Sequence, residues 1–197
     1  MIDKIAAIRK AVESECYLPA LALALTLPDI CGQIEYPDFK RKDKNGKEFR
    51  EGRRQYVTWY NNFVKPLHYI ADDKAPDFQF NGEFCYALRC SLLHEGNFEL
   101  KDRTEELLID EFRLHVDKAC GTHNIHSSYH EEGGERVIDL DAYGLCFLLC
   151  RAARTFYDAH EEKAVFKKYD SVVIDESWPD AAYEELFSSG ARQMEER

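Results

Sequence analysis

The chain has no apolar run of transmembrane length: the longest, 18–27, is interrupted by Pro19 and closed by Pro28, short of the roughly 20 residues a spanning helix needs. Its first residues alternate charge with apolar side chains and lack the basic leader of a secretion signal. These two absences predict a cytoplasmic address with no membrane partner. No Gly-rich phosphate loop, nucleophile elbow or dinucleotide fingerprint occurs, which removes most common enzyme classes. An even cysteine count is missing too. The seven thiols (Cys16, Cys31, Cys85, Cys90, Cys120, Cys146 and Cys150) lie mostly in apolar helical segments and read as reduced, buried groups, not a disulfide frame. Nor is there an excess of positive charge: a net charge of −11 argues against a protein that coats nucleic acid non-specifically.

What is present is a globular composition. In 197 residues, 45% are hydrophobic and 13% aromatic, enough for one good core and inconsistent with disorder. Ile5, Ile8 and Val12 recur at helical spacing, and 17–26 is apolar nearly all round, as a buried helix is. The stretch 27–32 reads as the end of that helix. Tyr56, Val57, Tyr60, Phe63 and Val64 mark another helix ending near Pro66, and Asn81 is placed to cap a further one that Gly96 stops. Segments 112–116 and 136–140 alternate like half-buried strands, and 126–130 is placed to pair with the second across a Glu-Glu-Gly-Gly-Glu turn. Asp141 then caps a long helix running to about residue 160, followed by a short strand at 172–174 and a last helix from about 177. The reading is a mainly α, helical-bundle, single-domain protein over 1–197, with a small β-hairpin insertion at about 112–140 and a frayed tail at about 190–197.

Charge is unevenly spread. Segment 40–54 holds eight basic residues (Lys40, Arg41, Lys42, Lys44, Lys47, Arg50, Arg53 and Arg54) against three acidic ones, so it carries +5 and the remainder −16. Asn45-Gly46 inside it is a turn signal for the tip of a loop or small hairpin. A basic loop on an acidic body can guide a phosphate backbone by releasing its counterions; a merely solvated loop is the plainer alternative.

On the helix opened by Asn81, Cys85, Leu88, Leu92 and Leu93 trace an apolar stripe that Arg89 and His94 interrupt. Five residues at 3.6 per turn separate these two by roughly 140° and about 7.5 Å along the axis, too wide for a direct pair. Both are residue types for phosphate chemistry, since Arg holds an oxyanion and stays charged while His exchanges protons near neutral pH.

An Arg-x4-His near the end of an apolar helix, followed by Glu95-Gly96-Asn97, resembles the signature of the HEPN superfamily (higher eukaryotes and prokaryotes nucleotide-binding). The resemblance implies a helical-bundle fold and an RNA-binding, metal-independent endoribonuclease of the kind found as toxins or defence effectors, with no cofactor. It implies Arg89 as the transition-state cation, His94 as general acid or base, segment 40–54 as an auxiliary RNA contact, a homodimer whose paired motif helices form the cleft, and an antitoxin-like protein partner. The family often has Asn, Asp or His directly after the Arg, where this chain has Cys90.

Two other readings stand beside this one. The chain fits equally a non-catalytic helical interaction or dimerisation module, with Arg89 paired to a carboxylate such as Glu83 or Glu95 and His94 capping its own helix end. Separately, Cys120, His123, His126 and His130 place four possible zinc ligands within eleven residues. Their spacing matches no established zinc pattern, so a solvated loop leading into the hairpin is the better reading.

Overall fold

A computed structural model of the chain describes residues 1–68, 80–96, 98, 109–117 and 127–170, with the backbone alone at 94 and 95. The expected strand at 172–174, the helix from about 177 and the frayed tail at about 190–197 lie outside the described residues. The described part is mainly α, as the periodicity indicates. Helices α1 (Ile2–Glu13), α2 (Tyr17–Ala24) and α3 (Leu27–Glu35) lead into a hairpin of β1 (Lys40–Lys42) and β2 (Glu48–Arg50). Helix α4 (Gly52–Trp59) continues through a π-type turn (Tyr60–Val64) and a 3-10 turn (Lys65–Leu67), and α5 (Gly82–Cys90) through a π-type turn (Ser91–Glu95). Strands β3 (Glu111–His115), β4 (Ser127–Glu132) and β5 (Glu135–Asp141) precede α6 (Ala142–Ala159) and a closing 3-10 segment (Lys163–Tyr169).

One sequence expectation is corrected here. Residues 27–32 do not end a helix but belong to α3. Pro28 sits in the first turn of that helix, where its missing N–H is no loss and its fixed φ suits the helical path. The chain breaks one residue earlier, at Thr26, whose hydroxyl donates to the Leu23 carbonyl at 2.7 Å. A second expectation is corrected too: α2 and α3 taken together, Tyr17–Glu35, are long and apolar enough to cross a membrane by length and composition, because the apolar character continues past Pro28. In the fold one side of this stretch is core, with Ala20, Leu21, Ala24, Leu25, Leu27 and Cys31 fully buried, while Leu18 is exposed.

Helix α6 is the centre of the packing. Leu145, Cys146, Leu148, Leu149, Ala152, Ala153 and Phe156 bury one broad face against α1, α2 and α3. Its start is fixed by Asp141, fully buried, which accepts from the Tyr143 and Gly144 amides at 3.0 Å and from Asp117 N–H at 3.1 Å. Three donors and the positive end of a helix stabilise the carboxylate that would otherwise be costly to bury. Further along, Phe156 meets Trp59 and Phe63 at centroid distances of 5.9 and 5.3 Å, joining α6 to the α4 region.

The second sheet has the order β3-β5-β4, with β3 parallel and β4 antiparallel to β5. The β4–β5 hairpin matches the sequence pattern, and Ser127↔Leu140 to Glu132↔Glu135 is its register. Arg136 clamps the sheet's edge by donating from Nε and Nη2 to Asp110 at 2.9 and 3.0 Å. The same guanidinium holds the Asp110 carboxyl down to about 2.

Two glycines set the layer formed by α3, α4 and α5. A Cβ on Gly32 of α3 would stand 2.5 Å from the Gln55 carbonyl oxygen, and one on Gly82 of α5 would stand 2.6 Å from the Val57 carbonyl oxygen. Both partner carbonyls are on α4, so α3 and α5 each approach its backbone as only glycine allows. The Gly82 amide completes the contact by donating to Asn61 Oδ1 at 2.9 Å.

Candidate functional site

Helix α5 forms where the sequence places it because Asn81 accepts from the Glu83 and Phe84 amides at 2.9 and 3.3 Å. Gly96, in the left-handed conformation at φ 67°, ends the turn that follows. Buried Cys85, Leu88 and Cys90 press this helix onto the core. Arg89 lies in its last turn with 17% of its side chain exposed. His94 lies on the π-type turn beyond, and its side chain is outside the described residues. Ser91 is fully buried and returns its hydroxyl to the Ala87 carbonyl at 3.2 Å.

Arg89 donates from Nη2 to Asp29 Oδ2 at 2.9 Å, with Asp29 26% exposed in the first turn of α3. Asp29 was not among the expected partners; of the two carboxylates named, Glu83 takes Arg53 of α4 at 3.0 Å, and the Glu95 side chain lies outside the described residues. The other oxygen of Asp29, Oδ1, accepts from Arg50 at the end of β2, and Arg50 Nη2 also reaches the Asp29 carbonyl at 3.3 Å. Arg50 in turn donates from Nε to Gln55 Oε1. Gln55 is 1% exposed and donates to the Tyr36 carbonyl at 2.6 Å, so a buried amide fixes the aim of Arg50. One carboxylate thus joins the basic segment to the motif helix.

Beside this chain of groups lies an open cleft of about 620 Å³, lined by Arg41, Arg50, Arg53, Arg54, Glu83 and Tyr86 among others. Four of the eight cations picked out in the sequence converge there. Arg54 is steadied by Glu51 at 3.0 Å and lies over the Phe39 ring at 4.0 Å, which itself stacks on Tyr36. The other four point along the hairpin. Lys40 and Lys42 both share Glu48 at 3.8 Å, Lys47 lies 5.3 Å from the Phe49 ring centroid, and Lys44 is exposed near the tip formed by Asn45-Gly46. Hairpin and cleft are therefore one continuous basic surface, with carboxylates interleaved.

Tyr86 is half-buried, packs against the core and lines the cleft, with its ring edge-on to Tyr56 at 5.3 Å and the Arg89 guanidinium 5.9 Å from its centroid. Burial raises its phenol, and the Cys90 thiol beside it adds to the rise. The sequence reading missed Asp29 and Gln55. An acidic residue in a helix's first turn and a Gln among arginines are both ordinary, and 60 residues separate Asp29 from Arg89.

Of the Cys/His cluster only His130 is described; Cys120, His123 and His126 lie outside the described residues. His130 Nδ1 sits 3.2 Å from Asp139 across the β4–β5 pair. Among the described residues no group of three or more His, Cys, Asp or Glu is placed to hold a metal ion.

A second cavity, of about 560 Å³, opens between α1 and α6 and has different chemistry. Ile5, Ile8, Val12, Cys146, Phe147 and Cys150 form its walls, with Arg9, Arg151 and Arg154 also at its surface. Burial pushes the Cys150 thiol up to about 12. The comparisons with known proteins add no relative to this geometry: no family model, no curated protein and no solved structure matches the chain.

Proposed function

We propose that this chain is an RNA-binding protein of HEPN type acting as a metal-independent endoribonuclease, in the cytoplasm and as a homodimer, with the arginine-lined cleft as the approach for the RNA backbone. The observation that carries the reading is the convergence of Arg50 and Arg89 on Asp29 at the edge of a cleft lined by Arg41, Arg53 and Arg54. Basic residues far apart in sequence meet the motif helix at one place, in a chain whose net charge is −11. Local concentration of guanidinium groups on an acidic body favours a phosphodiester strand at that place and disfavours it elsewhere.

The chemistry follows from the residue types. Deprotonation of a ribose 2′-OH lets its oxygen attack the adjacent phosphorus, and the bond to the 5′-oxygen breaks as that oxygen takes a proton. The products are a 2′,3′-cyclic phosphate and a 5′-OH. Arg89 carries the charge that develops on the phosphate oxygens, and His94 transfers a proton. The motif's one His supplies one of the two proton transfers, and in this reading the second comes from the motif of a paired protomer. A toxin or defence role, with an antitoxin-like partner covering the cleft, belongs to the same reading.

The alternative is a non-catalytic helical module for dimerisation or partner binding. The Arg89–Asp29 pair favours it, because a guanidinium satisfied by its own chain is an ordinary structural tie, and Cys90 then marks a site that has lost its chemistry. Cleavage of end-labelled single-stranded and transfer RNA in EDTA separates the two. The nuclease reading expects cyclic-phosphate ends from the wild type, lost in Arg89→Ala and His94→Ala while both stay folded. Absence of cutting, or equal cutting by all three proteins, leaves the module.

A further inference from the structure

The carboxylate of Asp29 stands where a phosphate would stand. Its two oxygens are divided between two guanidinium groups, Oδ1 to Arg50 and Oδ2 to Arg89, as two non-bridging oxygens of a phosphate would be. We infer that Arg50 and Arg89 form a two-guanidinium phosphate site that Asp29 occupies as an internal competitor, and that a phosphate group binds by displacing the Asp29 side chain. The inference deepens the RNA-binding reading and rests on it for the source of the phosphate.

Three features make the displacement feasible. The site is reachable, since the Asp29, Arg50 and Arg89 side chains are 26%, 35% and 17% exposed. Arg50 does not depend on Asp29 for its orientation, because buried Gln55, tied to the Tyr36 carbonyl, holds its Nε. The site is also continuous with the cleft, since Arg50 lines that cleft together with Arg41, Arg53 and Arg54. An anion that enters the cleft exchanges one carboxylate for a ligand that keeps contact with several guanidiniums at once. Asp29 leaves toward water, where its carboxylate is fully solvated. At this partly exposed site solvent still screens each carboxylate–guanidinium pair, so the competition is close and ligand charge decides it.

The measurement uses the full chain in EDTA with two probes. One is inorganic tripolyphosphate, read by isothermal titration. The other is a labelled 2′-O-methyl single-stranded oligonucleotide, which lacks the attacking hydroxyl, read by fluorescence anisotropy. Asp29→Asn keeps the size and one acceptor oxygen but removes the competing charge. It is expected to bind at least one probe about tenfold more tightly than wild type, equivalent to about 1.4 kcal/mol. The gain should disappear in Asp29→Asn/Arg50→Gln and in Asp29→Asn/Arg89→Gln. A gain for the oligonucleotide alone identifies a nucleic-acid strand as the source, and a gain for tripolyphosphate alone identifies a free oligophosphate.

Unchanged affinity in a folded Asp29→Asn protein overturns the inference, as does a gain that survives in either double variant. Should Asp29→Asn not fold, single variants decide. Arg50→Gln and Arg89→Gln must each weaken wild-type binding at least fivefold more than Arg9→Gln, which removes the same charge from the exposed face of α1; equal losses overturn the site. None of these readouts uses cleavage, so a wild type that cuts no RNA ends the nuclease reading and leaves this result standing.

Discussion

Two cavities of similar size show what surrounds each helix pair. The cleft beside α4 and α5, about 620 Å³, is walled by guanidinium groups, of which Arg50 and Arg53 meet carboxylates from other elements. The groove between α1 and α6, about 560 Å³, is walled by apolar side chains and two thiols, and two of its three arginines pair within their own helices. Arg9 holds Glu13 and Arg154 holds Asp158, both four residues on. Pairs within one helix are satisfied however the helix packs, whereas Arg50, Arg53 and Arg89 are satisfied only because α3, β2, α4 and α5 come together. A charged ligand that replaces a partner therefore changes the tertiary structure at the cleft and only the surface at the groove.

The largest expected effect lies on the apolar side of this comparison. Ile8 is buried at the inner wall of the groove, and Ile8→Ala should cost about 2–4 kcal/mol of stability by urea unfolding. RNA affinity of the folded fraction should not change. If it falls with stability, the two regions are not separable. Gly82→Ala comes next, because the added Cβ meets the α4 backbone and not a flexible side chain. It should cost about 1–3 kcal/mol by overpacking and, unlike Ile8→Ala, also weaken RNA binding, since α5 must shift away from the cleft wall.

Charge removal should show the reverse pattern. Arg53→Gln/Arg54→Gln is expected to weaken oligonucleotide binding about tenfold, with the unfolding midpoint nearly unmoved, as for exposed ion pairs generally. The log–log salt dependence should flatten by roughly 0.7 for each arginine lost. The same double change at Arg151 and Arg154 should leave affinity within about twofold. Equal losses at both places would show that net charge alone governs binding and would end the distinction between cleft and groove.

pH offers a smaller, graded test. His68 is mostly buried beside Tyr60, whose hydroxyl lies 3.2 Å from Nε2, and burial lowers the imidazole to about 4. Above the ordinary histidine value near 6.5 the ring is neutral in both folded and unfolded chains, and stability is at its full value. As pH falls from there toward about 4, the unfolded chain takes up a proton that the folded chain refuses. Stability then drops by up to about 1.4 kcal/mol per pH unit. His68→Gln should flatten this slope between pH 7 and pH 5. Loss of RNA binding over that range with no change in the unfolding midpoint would place the titrating group in the cleft instead. Finally, an alkylating reagent at pH 8 should label Cys16 first among the described thiols, because it is exposed whereas Cys31, Cys85, Cys90 and Cys146 are buried. Cys150, half-exposed to the groove, should follow slowly, and a hydrophobic reagent should narrow that gap.

The local features were legible because each depends on a few neighbouring residues. Asn81 and Asp141 cap helices where their side chains reach amides two and three positions on. Asn45-Gly46 turns the hairpin, and Gly96 ends the motif helix with a positive φ. Proline was read less well. Pro28 reads as the stop of one helix, but it lies in the first turn of the next, and the break between the two falls before it, at Thr26. The basic segment was visible as charge, but not which of its members meet: Arg41, Arg50, Arg53 and Arg54 reach the cleft while Lys40, Lys42 and Lys47 stay along the hairpin.

The sequence by itself determined the mainly helical build, the β4–β5 hairpin and the capped ends of α5 and α6, since hydrophobic period, caps and turn residues act over one or two turns of chain. Only the tertiary structure decided that Arg50 and Arg89 share Asp29. That meeting follows from how closely Gly32 and Gly82 let α3 and α5 approach the α4 backbone, a distance set by packing between residues remote in sequence and written in no local pattern.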